Sequence, residues 1–172
     1  MSKTALLIID AQNEMFDQSN PVHQSGQLLE NLQSLIKKAR SADVPVIYVQ
    51  HNDPGLVKGT DFWQIHPSIT PEEEDAVVQK WTPDSFHETK LLEILKNKDI
   101  QNLVIAGNQT EYCIDATTRS ASNLGFHVTL AKDAHGTWDS EKMSAGQIID
   151  HHNGLLSNFA TLQETNEIEF VE

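Results

Sequence analysis

Three residues that together could open an amide stand at three separate points of this chain. Cys113, the only cysteine, ends the stretch Gly107-Asn108-Gln109-Thr110-Glu111-Tyr112-Cys113, between the apolar run Leu103-Val104-Ile105-Ala106 and a helical pattern. A thiol at a strand-to-helix junction faces the first free N–H groups of the helix, and their field favours thiolate. A lone cysteine is equally a small, inert hydrophobe of a core. Asp10 follows Ala5-Leu6-Leu7-Ile8-Ile9, and Lys80 closes Ala76-Val77-Val78-Gln79-Lys80. Taken singly, Asp10 also reads as a turn or N-cap residue and Lys80 as a solvated surface lysine. Taken together they form a coherent set. A carboxylate takes the thiol proton, a lysine stabilises the thiolate, and the thiolate attacks a carbonyl to form a thioester.

These residues meet only if the elements around them bring strand ends to one edge. Ala5–Ile9, Pro45–Val49, Ala76–Lys80, Leu103–Ala106 and Phe126–Leu130 read as short strands, the first two as apolar runs buried on both faces. Glu167–Val171 alternates polar and apolar residues, which predicts a half-exposed edge strand. Leu28, Leu29, Leu32, Leu35, Ile36 and Ala39 repeat at helical spacing and predict a helix over Gly26–Ala42. Further helices are predicted over Lys90–Asn97, over Ile114–Asn123 with Gly125 as a C-cap, and over Ser140–Asn158 with interruptions at Gly146 and Gly154. The segment between the second and third strands, with Pro54, Gly55, Gly59 and Pro67, predicts a long loop. Strands alternating with helices predict a three-layer α/β fold, a six-stranded, mostly parallel sheet with helices on both faces. Ligands bind such sheets at the carboxyl ends of the strands. No repeat, low-complexity segment or linker composition divides residues 1–172, so a single domain is expected.

The bulk composition narrows the partners. The formal net charge of -13 argues against nucleic acid and anionic membrane, both of which need a basic surface. The acidic runs Pro71–Asp75 and Glu164–Glu172 read as solvated faces. A lone cysteine forms no internal disulfide, which suits a reducing cytoplasm. The five apolar residues before Asp10 are too few for a signal-peptide core or a membrane span. No Gly-x-Gly-x-x-Gly or Walker-type loop follows the first strand, so nucleotide binding is weakly supported.

Several of these motifs occur together in the isochorismatase-like cysteine hydrolases. Leu6–Asn13, Val78–Lys80 with Asp84-Ser85-Phe86, Gly107–Cys113 with Ala116–Arg119, Gly59–Pro71 and Asp133-Ala134 resemble that family in order along nearly the whole chain. The resemblance implies the strand order 3-2-1-4-5-6 and a catalytic set of Asp10, Lys80 and Cys113. It implies a cis peptide at Asn108–Gln109 that aims the Gln109 and Cys113 N–H groups at an oxyanion. It also implies a pocket walled by Phe16, Trp63, Phe86 and Tyr112, each of which reads equally as core. Members are often homo-oligomers, dimers or larger, acting on small-molecule substrates.

The branch follows from two details. Isochorismatases proper cleave a vinyl ether without a cysteine nucleophile, so Cys113 favours amide, carbamoyl or related C–N hydrolysis. Nicotinamidase-like members hold a metal through an Asp-x-His pair after the second strand. This chain has Gln50-His51-Asn52-Asp53 there, so neither a metal nor another cofactor is expected. His51, His66, Asp133 and His135 are possible contributors to the site. The adjacent His151 and His152 point in different directions on a helix and suit a structural role. The alternatives are an ether hydrolase in which Asp10 protonates the substrate, and a non-enzymatic thiol-based binder or redox sensor.

Overall fold

The central strand shows why the sheet is covered twice. In β1 (Lys3–Ile9), Leu6 and Ile8 enter one apolar cluster while Ala5, Leu7 and Ile9 enter the other. Successive side chains of a strand point to opposite faces, so a run without polar interruption needs a cover on each side. The computed structural model describes residues 2–171. After β1 come α1 (Ser25–Ser41), β2 (Val46–His51), β3 (Ala76–Lys80), α2 (Leu91–Asn97) and β4 (Ile100–Asn108). They are followed by α3 (Asp115–Asn123), β5 (His127–Gly136), α4 (Ala145–Leu156) and β6 (Thr161–Gln163). All paired strands are parallel, in the order β3-β2-β1-β4-β5-β6. Leu28, Leu32, Leu35, Ile36 and Ala39 of α1 fill one face of the sheet, and α2, α3 and Leu156 of α4 fill the other. Among the described residues, no helix is long and apolar enough to cross a membrane.

The sixth strand differs from expectation. It is Thr161–Gln163, paired with Thr129–Ala131, and Glu167–Val171 is not in the sheet. The alternation of the later segment nonetheless reports burial. Ile168 and Phe170 join the α1-side cluster, and Lys38 Nζ donates to the carbonyls of Thr165 and Ile168. Alternate apolar residues need only one buried face, which a helix layer supplies as well as a ladder does. The strand β5 also runs longer than expected, so Asp133 and His135 lie within it rather than after it. The last helix is shorter than its pattern. It starts after Ser144, whose hydroxyl accepts from the Gln147 N–H while Gln147 Oε1 accepts from the Ser144 N–H.

Strand order reverses direction between β1 and β4, so the crevice above their carboxyl ends is open to a ligand. The long loop is tied to that edge by Gln12. Its Nε2 donates to the carbonyls of His51 and Trp63, and its Oε1 accepts from the His51 N–H. A fully buried amide with these bonds satisfied acts as a pin between strand and loop.

Candidate active site

Four strand ends converge on one ammonium group. Lys80, at the end of β3, is fully buried, and its Nζ lies 3.1 Å from Asp10 Oδ2, 3.1 Å from Cys113 Sγ and 2.7 Å from His51 Nδ1. The Thr82 carbonyl is a fourth acceptor at 3.2 Å. Asp10 follows β1 with a positive φ of 48°, a left-handed conformation that turns the chain sharply as the strand ends. Register brings in His51, because His51 and Lys80 are directly paired neighbours of β2 and β3.

Cys113 reaches the cluster through an unusual turn. The peptide between Asn108 and Gln109 is cis. Thr110–Ile114 then forms one wide turn in which the Ile114 N–H donates to the Gln109 carbonyl five residues back, before α3 begins. Gly107 precedes this loop with φ +124°, packed against the backbone of Ile9. Asn108 is buried and donates from Nδ2 to the Asp10 carbonyl, which links the loop to the end of β1.

Electrostatics differ from the sequence expectation at the thiol. Burial, reinforced by the Asp10 carboxylate, pushes the Cys113 thiol up to about 12, against the opposing pull of Lys80. The expected helix field does not dominate, because Cys113 is buried inside the wide turn beside a carboxylate. Burial thus favours thiol over thiolate at Cys113. Burial raises the Asp10 carboxyl as well, with Lys80 and Cys113 pulling it down, and a raised carboxylate is a stronger base. Beyond the Cys113 thiol, which shares a hydrogen bond with the Asp10 carboxylate, Asp10 Oδ1 is buried with no other hydrogen-bond partner among the described residues. His51 is held below its ordinary value by burial and by Lys80. With Nδ1 facing Lys80, its Nε2–H points to Asp53 Oδ2 at 3.1 Å.

Asp10, His51 and Cys113 each offer a ligand atom within 4.8 Å of the others. The Lys80 ammonium already makes contacts of 3.1 Å or less to all three, so a metal would have to compete with a built-in cation.

A cavity of about 360 Å³ opens over the cluster. Tyr112 and Gln109 line it with Asp10 and Cys113, as do Met15, Leu56, Trp81 and Trp138. Phe16, Trp63 and Phe86 do not. Phe16 is buried edge-on against His66, Trp63 donates from Nε1 to Asn52 Oδ1, and Phe86 stacks on Phe126. Phe16 and Phe86 pack into the two apolar clusters, where apolar area is covered, and Trp63 lines a separate cavity with Asn13 and Gln50. Sequence reasoning missed Trp81 and Pro83, which directly follow or closely follow Lys80, and Trp138, two residues beyond β5. Adjacency to a strand's carboxyl end was the available signal.

The remaining histidines have other duties. His66 Nδ1 accepts from the Ser68 N–H, and His152 Nδ1 contacts Asp115 Oδ2 at 2.8 Å. His135 is buried between Thr110 Oγ1 and Asn153 Oδ1, each at 2.8 Å, so it braces the Cys113 loop against β5 and α4. Burial lowers it from 6.5 to about 4. The unfolded chain protonates this residue near 6.5 and the folded chain only near 4. Its contribution is thus fully present above about pH 6.5 and is lost as pH falls towards 4, a change on the order of 3 kcal/mol. Urea unfolding across this pH range should show that slope, and His135→Gln should flatten it. An unchanged slope in the variant would contradict the assignment.

A family model described as an isochorismatase domain matches residues 4–164. The secreted isochorismatase effector Isc1 of Verticillium dahliae is 33% identical over 170 residues, covering 96% of this chain and 90% of its own length. Nicotinamidase 3 of Arabidopsis thaliana is 30% identical over 154 residues, covering 80% of this chain and 75% of its own. The crystal structure of an isochorismatase hydrolase from Oleispira antarctica is similar with a TM-score of 0.91 and 35% identity, over 96% of this chain and 95% of that one. The chain belongs to the isochorismatase family of hydrolases.

Proposed function

We propose that this chain acts as one domain, a cysteine-dependent hydrolase that opens a small amide, carbamoyl or related C–N bond through a thioester on Cys113. The observation that carries the reading is Lys80 Nζ at 3.1 Å from both Asp10 Oδ2 and Cys113 Sγ at the floor of the cavity. The amidase named among the relatives, Nicotinamidase 3, supports C–N chemistry.

With substrate bound, Asp10 takes the thiol proton as sulfur attacks the carbonyl carbon. The proton moves late because the resting thiol is a weak acid. Lys80 balances the charge that shifts between carboxylate and sulfur. The developing oxyanion is directed at the backbone N–H groups of Gln109 and Cys113. As the tetrahedral intermediate collapses, the C–N bond breaks and the leaving nitrogen takes the proton from Asp10. A water then gives its proton to Asp10 and attacks the thioester. The acid departs, and the returned proton restores the thiol. His51, kept neutral and oriented by Asp53, holds the third side of Lys80 so that the ammonium faces Asp10 and Cys113. A reducing, cytoplasmic setting suits a lone catalytic thiol.

Mass spectrometry of acid-quenched protein during turnover of a small amide should show the acyl group on the Cys113 peptide, released by hydroxylamine. Rapid turnover with that peptide unmodified under single-turnover conditions would rule out the thioester.

A further inference from the structure

The charges around the cavity do not cancel. Asp10 is paired with the buried Lys80, and no lysine or arginine is among the described residues that line the space. Glu14 and Asp53 both line it, Asp53 with its carboxylate also accepting from the Gly55 N–H. Asp53 contacts His51, a ring held in the neutral direction by burial, and Glu14 has no cationic partner among the described residues. Two acidic groups are therefore left without a counterion at the mouth of one pocket. Burial and the nearby carboxylates of Asp53 and Asp10 raise the Glu14 carboxyl, which marks the local field as negative.

Aromatic side chains line the same cavity. Trp81 and Tyr112 are 64% and 58% exposed, far more than such rings are when packed as core, and Trp138 completes the wall. Trp138 is held in place by its Nε1 bond to the Asn20 carbonyl. Carboxylates and aromatic faces around one space attract the same kind of ligand group, a cation with an apolar stem. Beyond the Cys113 thiol, which shares a hydrogen bond with the Asp10 carboxylate, Asp10 Oδ1 is buried at the floor with no other partner among the described residues and is open to a donor brought by a ligand. An anionic substrate would meet like charge from Glu14 and Asp53 with no free cation to offset it.

Resting on the hydrolase reading above, we propose that the substrate carries an alkylammonium or guanidinium group near its scissile amide, bound by Glu14 and Asp53 against Trp81, Tyr112 and Trp138. The pocket selects cationic amides over neutral ones and rejects anionic ones.

Three probes of one length separate the charges: γ-aminobutyramide, pentanamide and succinamate. Binding is measured by calorimetry on the full-length Cys113→Ala protein, and hydrolysis on wild type. The ammonium amide should bind about 10-fold or more tightly than pentanamide, with succinamate weakest. Glu14→Gln in the same background should bring the cation-to-neutral ratio towards one, and raised salt on the unmodified pocket should narrow it too. Cation-selective binding without hydrolysis of any probe would sustain the cation preference of the pocket and count against the amide as the scissile group. Hydrolysis of the amides without cation preference would do the reverse. Equal or weaker binding of γ-aminobutyramide than of pentanamide, or no binding of any probe, overturns the proposal.

Discussion

Cys113→Ala should lower kcat/KM for a primary amide substrate by about 10⁴-fold or more, because among the described residues no other thiol or hydroxyl side chain is placed at the cavity beside both Asp10 and Lys80. Asp10 could still activate a water directly, but water lacks the fixed position that the wide turn gives the sulfur, and that positioning supplies most of the advantage. The fold should survive. Cys113 is a small buried member of the apolar cluster below α3, so losing its sulfur costs about 1 kcal/mol. Circular dichroism and a thermal melt beside the kinetic assay separate lost chemistry from lost structure. The measurement also decides between mechanisms. An ether hydrolase in which Asp10 protonates the substrate would keep its rate in Cys113→Ala and resist thiol alkylation. A thiol-based sensor would show no turnover in wild type to lose.

Gly107→Ala should be the most damaging single substitution for stability and should remove activity with it. Gly107 pairs with Ile9 across β1 and β4, and a Cβ built on it would stand 1.9 Å from the Ile9 carbonyl oxygen. That neighbour is backbone in the central strand and cannot swing away. The φ of +124° adds a conformation that alanine strongly resists. Overpacking and backbone strain together should cost about 3–6 kcal/mol, a large share of the stability of a domain this size. Relief would require β4 to part from β1, which would carry Asn108 away from Asp10 and misplace Cys113. Gly125→Ala is the matched control. It has φ +95° but nothing within 4 Å, so only backbone strain of about 1–2 kcal/mol is expected. Urea midpoints for the two variants give the comparison, and a Gly107→Ala protein as stable as Gly125→Ala would show the close approach to be unimportant.

The legible parts of this fold were those in which one local rule acted alone. The β1 and β2 runs could be read because strands buried on both faces must be apolar at every position, and α1 because its stripe repeats at the helical period. β6 was not legible. It is three half-exposed residues, and its place in the sheet comes from pairing with β5, while the stronger alternation of Glu167–Val171 belongs to a segment packed beside α1. The pocket walls were legible in part. Tyr112 precedes Cys113 on the same turn and faces the cavity, but Phe16, Trp63 and Phe86 find partners in His66, Asn52 and Phe126. Which way a loop aromatic turns depends on the apolar area available beneath it, and that area is assembled from distant segments.

By itself the sequence determined the kinds of chemistry present and the edge at which they could meet, because Asp10, Lys80 and Cys113 each follow or close a strand run and parallel strands end on one side. The tertiary structure alone decided how they meet. Lys80 is central because β2–β3 register sets His51 beside it and the Asp10 and Cys113 loops close over it. The Cys113 thiol is pushed up by burial and by the Asp10 carboxylate, neither of which its local position suggested. Glu14 and Asp53 share one cavity because Gln12 pins the long loop to the ends of β1 and β2. Proton affinity and net charge in a pocket are sums over neighbours brought from far along the chain, and such sums exist only once the chain has folded.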